Sequence, residues 1–457
     1  MSRYRLLEGS KNTNEPIRFI PDVDLSAYQR RVNILEPIRA TRRGSVKRVC
    51  SAMLIEITLP DAMIGELCVI KTRSGKEIPC QVVGFDDESV FITPFAPLTD
   101  VGPSSLVTSS GTSLNVPVGE HLLGQILNCF GESIEDKKLQ SRMRYPLLGQ
   151  SINPLERVRI KNQLPLGIRA IDMFTPVGEG QRLGIFSTAG QGKSSLLGML
   201  ARFSTAEVNV IALIGERGRE VLDFIDDNLG IDGLSKSVVI VSTSDDPPMK
   251  RIVAAYTATA IAEYFRNQGK KVLLLMDSIT RFARALREIA LSLGEPPARQ
   301  GYPPSVFSTI PSLLERAGKT KEGSITAFYS ILLSSEKLED PLAEEVRAIL
   351  DGHIYLSSRL SQMGHFPAID VLKSNSRLSS VVSSKEHLNL QHELRAILAT
   401  YEENFDLINL GAYKAGSDPL IDRSLILQPK IMEILAQRPD ESDTIENAIK
   451  KFKALVD

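Results

Sequence analysis

No apolar run in this 457-residue chain approaches the roughly 18 residues that a membrane-crossing helix needs. The opening MSRYRLLEGSKNTNEP also lacks the hydrophobic core of a secretory leader, so the expectation is a cytosolic chain. Neither charge is in excess: 54 basic side chains stand against 55 acidic ones, so no overall field draws the chain to nucleic acid or lipid. Cysteine is scarce and scattered. Cys50, Cys68, Cys80 and Cys129 form no CxxC and have no histidine pair nearby, which argues against a zinc site or a disulfide framework and for reduced thiols in a core. The five histidines show no HxxxH spacing, and no internal repeat or low-complexity tract is present.

The chain is organised around residues 183–200, LGIFSTAGQGKSSLLGML. An apolar run ending at Phe186 reads as a buried strand, Ser187 to Gly192 as a loop, and Lys193-Ser194 as the start of a leucine-rich helix. Backbone N–H groups of such a loop wrap phosphate oxygens, helped by the partial positive charge of the helix N-terminus. Lys193 then reaches the β- and γ-phosphates and the Ser194 hydroxyl is placed for Mg²⁺. The pattern GxxxxGK[ST] is met through Thr188, Ala189, Gly190, Gln191 and Gly192 but not at its first position, Ser187. The alternative is a glycine-rich loop that merely turns. At this length two or three domains are expected.

Residues 1–25 read as a loosely held arm. Residues 1–50 carry 11 Lys/Arg and 5 Asp/Glu, a surface for an acidic partner or anionic lipid, although a solvated face is the stronger reading. From 40 to 98 short β-branched runs separated by turn residues predict a small antiparallel barrel or sandwich. It has no aromatic-plus-basic platform for a single strand of nucleic acid, which favours a structural barrel. After a Pro/Gly/Ser-rich segment, 94–118, continuous apolar runs at 208–214, 238–242, 272–277 and 325–333 alternate with amphipathic stretches such as 251–267. This alternation predicts a parallel sheet with helices on both faces. From 385 the period turns helical: Leu390, Leu394, Ile397, Leu398 and Tyr401, then Ile445, Ala448, Ile449, Phe452 and Leu455.

Hydrolysis needs an acid for the magnesium shell, a group that orients water, and positive charge for the transition state. Asp277 closes the apolar run 272–277 at the strand end, where ligands sit in doubly wound sheets, and is the candidate metal acid; capping the next helix is its alternative role. Glu216, in GERGRE after the run 211–214, is the candidate for the water, though spacing alone favours an ordinary charged loop. Arg281 falls near the same edge. Arg377, in SNSR after the run 369–372, can point into a neighbouring subunit's site, where a borrowed arginine contributes about 10³ to 10⁵ in rate. Both arginines also fit ordinary surface ion pairs.

Together, STAGQGKSS, GERGREV at 215–221, LLLMDSITRFARALREIAL at 273–291, GEPPARQGYPPSVFSTIPSLLERAG at 294–318, EEVRAILDGHIYLS at 344–357, GHFPAIDVL at 364–372, LGAYKAGSDPLIDRS at 410–424 and GTSLNVPVGEHLLGQILN at 111–128 resemble the type III secretion ATPases. That family comprises the flagellar export ATPase and its injectisome counterparts, relatives of the rotary ATP synthase catalytic subunit. The resemblance covers about residues 30 to 440.

It implies an N-terminal six-stranded barrel (26–98, after the arm 1–25), an α/β RecA-like P-loop core with a mostly parallel sheet (99–380) and a helical C-terminal domain (381–457). It implies a cytoplasmic homohexamer at the inner face of the membrane by the export gate, with a central stalk, a peripheral regulator and chaperone–substrate complexes as partners. The basic N-terminus would add weak membrane contact, and no nucleic acid is expected. ATP with Mg²⁺ would be hydrolysed to release chaperones and unfold export substrates. Lys193 would lie on the phosphates, Ser194 and Asp277 around Mg²⁺, Glu216 on the attacking water, and Arg377 would be the finger from the next subunit. Arg217 and Arg281 would line the site and Phe366 would stack on adenine. The 294–304 loop would face the ring's channel.

The chain departs from the family pattern at Ser187, at Gln191 (usually small or apolar), at Ser358 (usually Arg, here displaced to Arg359) and at Glu336-Lys337, before Glu339-Asp340-Pro341. None removes a catalytic group. The rival readings are a hexameric nucleic-acid translocase of the transcription-termination type and a non-catalytic nucleotide-binding ring subunit.

Overall fold

The computed structural model describes residues 41–456 except 87, 136, 138, 140, 142, 150, 151 and 336–339, together with a short ladder between Tyr4–Arg5 and Ile20–Pro21. The rest of the predicted N-terminal arm, and Glu336, Lys337 and Glu339, lie outside the described residues.

Six antiparallel strands close a barrel: β1 (Arg42–Ser51), β2 (Leu54–Thr58), β3 (Glu66–Lys71), β4 (Glu77–Phe85), β5 (Val90–Pro94) and β6 (Leu106–Ser113), in the order β1-β2-β5-β4-β3-β6 with β6 returning to β1. Inward positions fill a small core of Val46, Ile55, Ile57, Ile70, Ile78, Val82, Ile92 and Val107. The barrel therefore runs past residue 98, where the sequence reading ended it. β6 reads LVTSSGTS, a texture that resembles a linker, but closure needs only its inward positions: Val107 is buried and the Ser109 hydroxyl donates to the Leu67 carbonyl at 2.9 Å. In β1, Gly44 lies so close to β2 that a Cβ there would meet the Thr58 carbonyl oxygen at 1.6 Å. The expectation of core thiols holds for Cys68, Cys80 and Cys129; Cys50, on β1, is exposed.

The central domain is a sheet of nine strands among the described residues. Its parallel members are β7 (Arg182–Ser187), β8 (Val208–Glu216), β9 (Ser237–Thr243), β10 (Lys271–Asp277), β11 (Ser324–Leu332), β12 (Gly352–Leu356) and the short edge strand Gln125–Leu127, in the order Gln125–Leu127, β9, β8, β10, β11, β7, β12. β13 (Ile369–Ser376) closes the other edge antiparallel to β12, and Gly318–Lys319 pairs with β11.

Both faces are covered, which is why these strands read as continuous apolar runs. Val210, Ala212, Ile214, Leu274 and Met276 enter one core; Ile211, Leu213, Leu273 and Leu275 enter the other. The main helices are α1 (Arg169–Phe174), α2 (Lys193–Phe203), α3 (Pro248–Asn267), α4 (Ile279–Ser292) and α5 (Pro304–Leu314). α3, expected to be amphipathic, has sixteen of its twenty residues buried, because it packs between the sheet and α4. A short helix, α6 (Ser358–Gln362), follows β12.

The C-terminal helices are α7 (Lys385–Glu403), α8 (Pro419–Leu435) and α9 (Ile445–Val456). Leu390, Leu394, Ile397 and Leu398 of α7 meet Ile431, Leu435 and Phe452 in the second core. Polar clamps fix them to α1. Buried Arg169 pairs with Asp443 at 3.2 Å and with Glu441, and donates to the carbonyls of Ile434 and Ala436, both at 2.6 Å. No helix among the described residues is long and apolar enough to cross a membrane.

Candidate active site

The parallel register brings the ends of four strands to one edge. Ser187 lies opposite Leu332, Leu213 opposite Asp277, and Met276 opposite Tyr329. Ser187 is still in β7 and extended, so the first position of the loop pattern does not require glycine here; its hydroxyl is buried and has no partner among the described residues. Gly190 and Gly192 do need their freedom, with φ of 80° and 79°. Gly192 also lies under Phe366, whose ring carbons would sit 3.2 Å from a Cβ. Ala189, Gly190 and Ser194 are exposed on the outer rim of the loop.

Lys193 opens α2 and points back to the strand ends. Its Nζ lies 2.5 Å from Asp277 Oδ1 and 3.7 Å from Glu216 Oε1. Burial opposes the Lys193 charge, but the two carboxylates outweigh it, so its pKa is raised. Asp277 is buried and also accepts from the Ser330 hydroxyl at 2.5 Å. Glu216 is delivered by a bulge: the register with β9 shifts between Ile214 and Glu216, and Gly215 takes φ of 70°. Burial first, then the Asp277 charge, pushes the Glu216 carboxyl up to about 7, against the pull of Lys193 and Arg281.

Arg281 belongs to this group. Its stem packs at 3.1 Å from where a Gly215 Cβ would sit, its Nε is buried without a partner, and among the described residues it pairs with no carboxylate. Arg217 does not join: its side chain is 78% exposed and pairs with Glu220 at 3.1 Å. Arg377 lies at the other end of the sheet. Its N–H donates to the Asp351 carbonyl, whose own N–H donates to Arg182 at the start of β7. Six strand residues, roughly 20 Å at about 3.3 Å each, separate that end from the loop that β7 feeds. The exposed Arg377 therefore cannot serve its own loop.

Two contributors were not singled out in the sequence. Ser330 interrupts a largely apolar run, a polar residue in a buried strand, and that was the available signal. Ser361 of α6 had none: its Oγ donates to the Gly190 carbonyl at 3.2 Å. Ser358, noted in the sequence only as a departure from the family pattern, proves to meet the loop, accepting from the Gln191 amide at 2.8 Å.

The Ser194 hydroxyl and the Asp277 carboxylate are hard oxygen donors, which suits Mg²⁺ rather than a softer metal. A phosphate-sized loop at a helix N-terminus, with a lysine and two carboxylates from adjacent strand ends, defines a P-loop nucleotide hydrolase. Residues 167–376 match the model of the ATP synthase alpha/beta family, nucleotide-binding domain, and 383–454 that of the T3SS EscN ATPase C-terminal domain. The chain is 47% identical over 417 residues to the flagellum-specific ATP synthase of Bacillus subtilis, covering 91% of this chain and 95% of that one. It is 45% identical over 409 residues to the type 3 secretion system ATPase of Sinorhizobium fredii, 89% and 90% being covered. Assembled EscN from enteropathogenic E. coli superimposes with a TM-score of 0.86 at 41% identity, covering 91% of this chain and all of that one; EscN with its central stalk EscO gives 0.84 at 40%, with the same coverage. The chain belongs to the family of flagellar and type III secretion ATPases, and it is an ATPase.

Proposed function

We propose that the chain hydrolyses Mg²⁺-bound ATP at sites shared between neighbouring subunits of a homohexamer, and uses the cycle to release chaperones from export substrates and unfold them at the inner-membrane export gate. The observation that carries the reading is the split placement of charge: Lys193, Glu216, Asp277 and Arg281 converge at one end of the sheet while Arg377 stands at the other.

Phosphate oxygens entering the loop take over the Lys193 ammonium now held by Asp277. Mg²⁺ arriving with ATP would meet Ser194 and the Asp277 shell and neutralise charge on the β- and γ-oxygens. Deprotonated Glu216 accepts a hydrogen bond from the water and aims it in line; the water oxygen–γ-phosphorus bond forms as the bond to the β-phosphate oxygen breaks, the water's proton passes to Glu216 or to a phosphate oxygen, and ADP and inorganic phosphate leave. Arg281, on this chain, and Arg377, from the next, meet the spreading negative charge. Phe366, 39% exposed beside Gly192, offers a ring to adenine.

EscN assembles and binds a central stalk; in the same arrangement the 294–304 loop, exposed at 296–300, would face the stalk, with a peripheral regulator outside the ring. The basic N-terminal segment supplies weak contact with the membrane surface. Phe85 is exposed on the barrel but is followed by Asp86, Asp87 and Glu88, which repel a phosphate backbone and disfavour nucleic acid as cargo. The test is Mg²⁺-ATP turnover across protein concentration: specific activity rises as subunits associate. Full activity in a strictly monomeric preparation, or turnover that requires RNA, overturns the reading.

A further inference from the structure

Two positions at which this chain departs from its family's pattern touch each other. Gln191 is 2% exposed, inside the phosphate loop. Its Oε1 accepts from the Thr188 N–H at 2.7 Å, closing the loop across three residues, and its Nε2 donates to the Ser358 hydroxyl at 2.8 Å. Thr188 Oγ1 lies 3.4 Å from the same hydroxyl, and Ser361, one turn further along α6, donates to the Gly190 carbonyl. A buried amide bonded on both ends specifies one geometry, since a shift of either partner strands a polar group away from water.

The opposite side of α6 grips the C-terminal domain. Arg359, next to Ser358, pairs with Glu402 of α7 at 2.7 Å and lies 4.5 Å over the ring of Phe405. A single short helix thus holds the phosphate loop with its serines and the helical domain with its arginine.

We propose that Gln191 and Ser358 are positioning residues that preset the phosphate loop against α6, and that Arg359 extends this hold to the C-terminal helices, so that nucleotide affinity depends on a contact remote from the nucleotide. The proposal rests on the loop being the ATP site. A loop already closed by Gln191 loses less freedom when phosphate binds, so the pair acts on affinity more than on the chemical step. Lys193, Asp277 and Glu216 are left in place by every change at 191, 358 or 359.

The experiment is an equilibrium titration of the full chain with a fluorescent N-methylanthraniloyl ATP analogue, alongside steady-state kinetics. Gln191→Val and Ser358→Ala each weaken binding about three- to tenfold, the worth of one or two hydrogen bonds. They raise KM by a larger factor than they lower kcat. The double variant loses less than the sum of the two single losses, because the Gln191–Ser358 bond is common to both. Ser358→Thr, which keeps the hydroxyl, retains affinity, and Arg359→Ala weakens binding by about twofold or more through loosening of α6. Unchanged affinity in folded Ser358→Ala and Gln191→Val, or additive losses in the double variant, overturns the proposal. Lys193→Ala separates the premises: if it abolishes binding while the other variants bind normally, only the positioning claim fails, and if it too binds normally, the loop is not the nucleotide site.

Discussion

Glu216 is the side chain whose chemistry depends most on its surroundings. Held at about 7 by burial and the neighbouring Asp277, it is largely protonated at pH 6, and then a weaker acceptor for the attacking water and no base. The kcat/KM for ATP is therefore expected to climb with pH up to about 7 and to level off above it, because that ratio reports the free enzyme's groups. Glu216→Gln removes the climb and lowers kcat by at least about 10²-fold; a pH series on both proteins checks the two together. The same shift has a sign in stability. The folded state keeps a proton that the unfolded chain gives up above its ordinary pKa near 4.5, so this group's contribution falls as pH rises from there to about 7. The melting temperature of Glu216→Gln relative to the parent should accordingly be more favourable at pH 8 than at pH 5. Arg217 belongs at this scale as well. Paired with Glu220 in solvent, it is expected to change turnover far less than Arg281 when either is replaced by alanine, since exposed pairs contribute about 1 kcal/mol or less.

Among the elements, α1 fastens the helical domain. Arg169→Ala takes one of two cationic partners from Asp443, which keeps Lys451 at 2.7 Å, and strips a buried donor from two backbone carbonyls, a loss of about 1–3 kcal/mol. Amide hydrogen exchange should then quicken in α9 while β10 and β11 keep their protection; equal protection in α9 contradicts this anchoring role. The elements also differ in how plainly the sequence announces them. β8 to β11 carry mostly apolar residues toward both faces because both faces are buried, and such runs are legible without a template. Asp277 was legible for a related reason, being a charge that ends an apolar run, and Lys193 through the GKS of the loop, whereas Glu216 by spacing alone read as an ordinary charged loop residue and took its role from the family resemblance. β1 and β6 were not legible, because a barrel strand with one wet face can be rich in arginine, serine and threonine and keep only a valine or two inward. Ser358 and Gln191 each stood out as departures from the family pattern, but their contact was hidden because they lie 167 positions apart, a distance no local pattern spans. The exposure of Arg217 was hidden too, since the motif that contains it says nothing of which way each side chain turns.

At the scale of the whole molecule, one chain holds the loop at one end of β7 and Arg377 at the other. In the proposed ring one chain's Arg377 would meet the next chain's loop, hydrolysis would be a property of the interface, and turnover is then expected to rise with protein concentration. The most direct test mixes two inactive variants. Lys193→Ala has no working loop but keeps its arginine; Arg377→Ala keeps the loop and lacks the arginine. If the site is shared, co-assembly creates interfaces with a good half from each, and activity returns to as much as about a quarter of the parent's in an equal, random mixture. If the mixture hydrolyses ATP no faster than the sum of the two variants measured apart, although the two have assembled together, the shared site is contradicted.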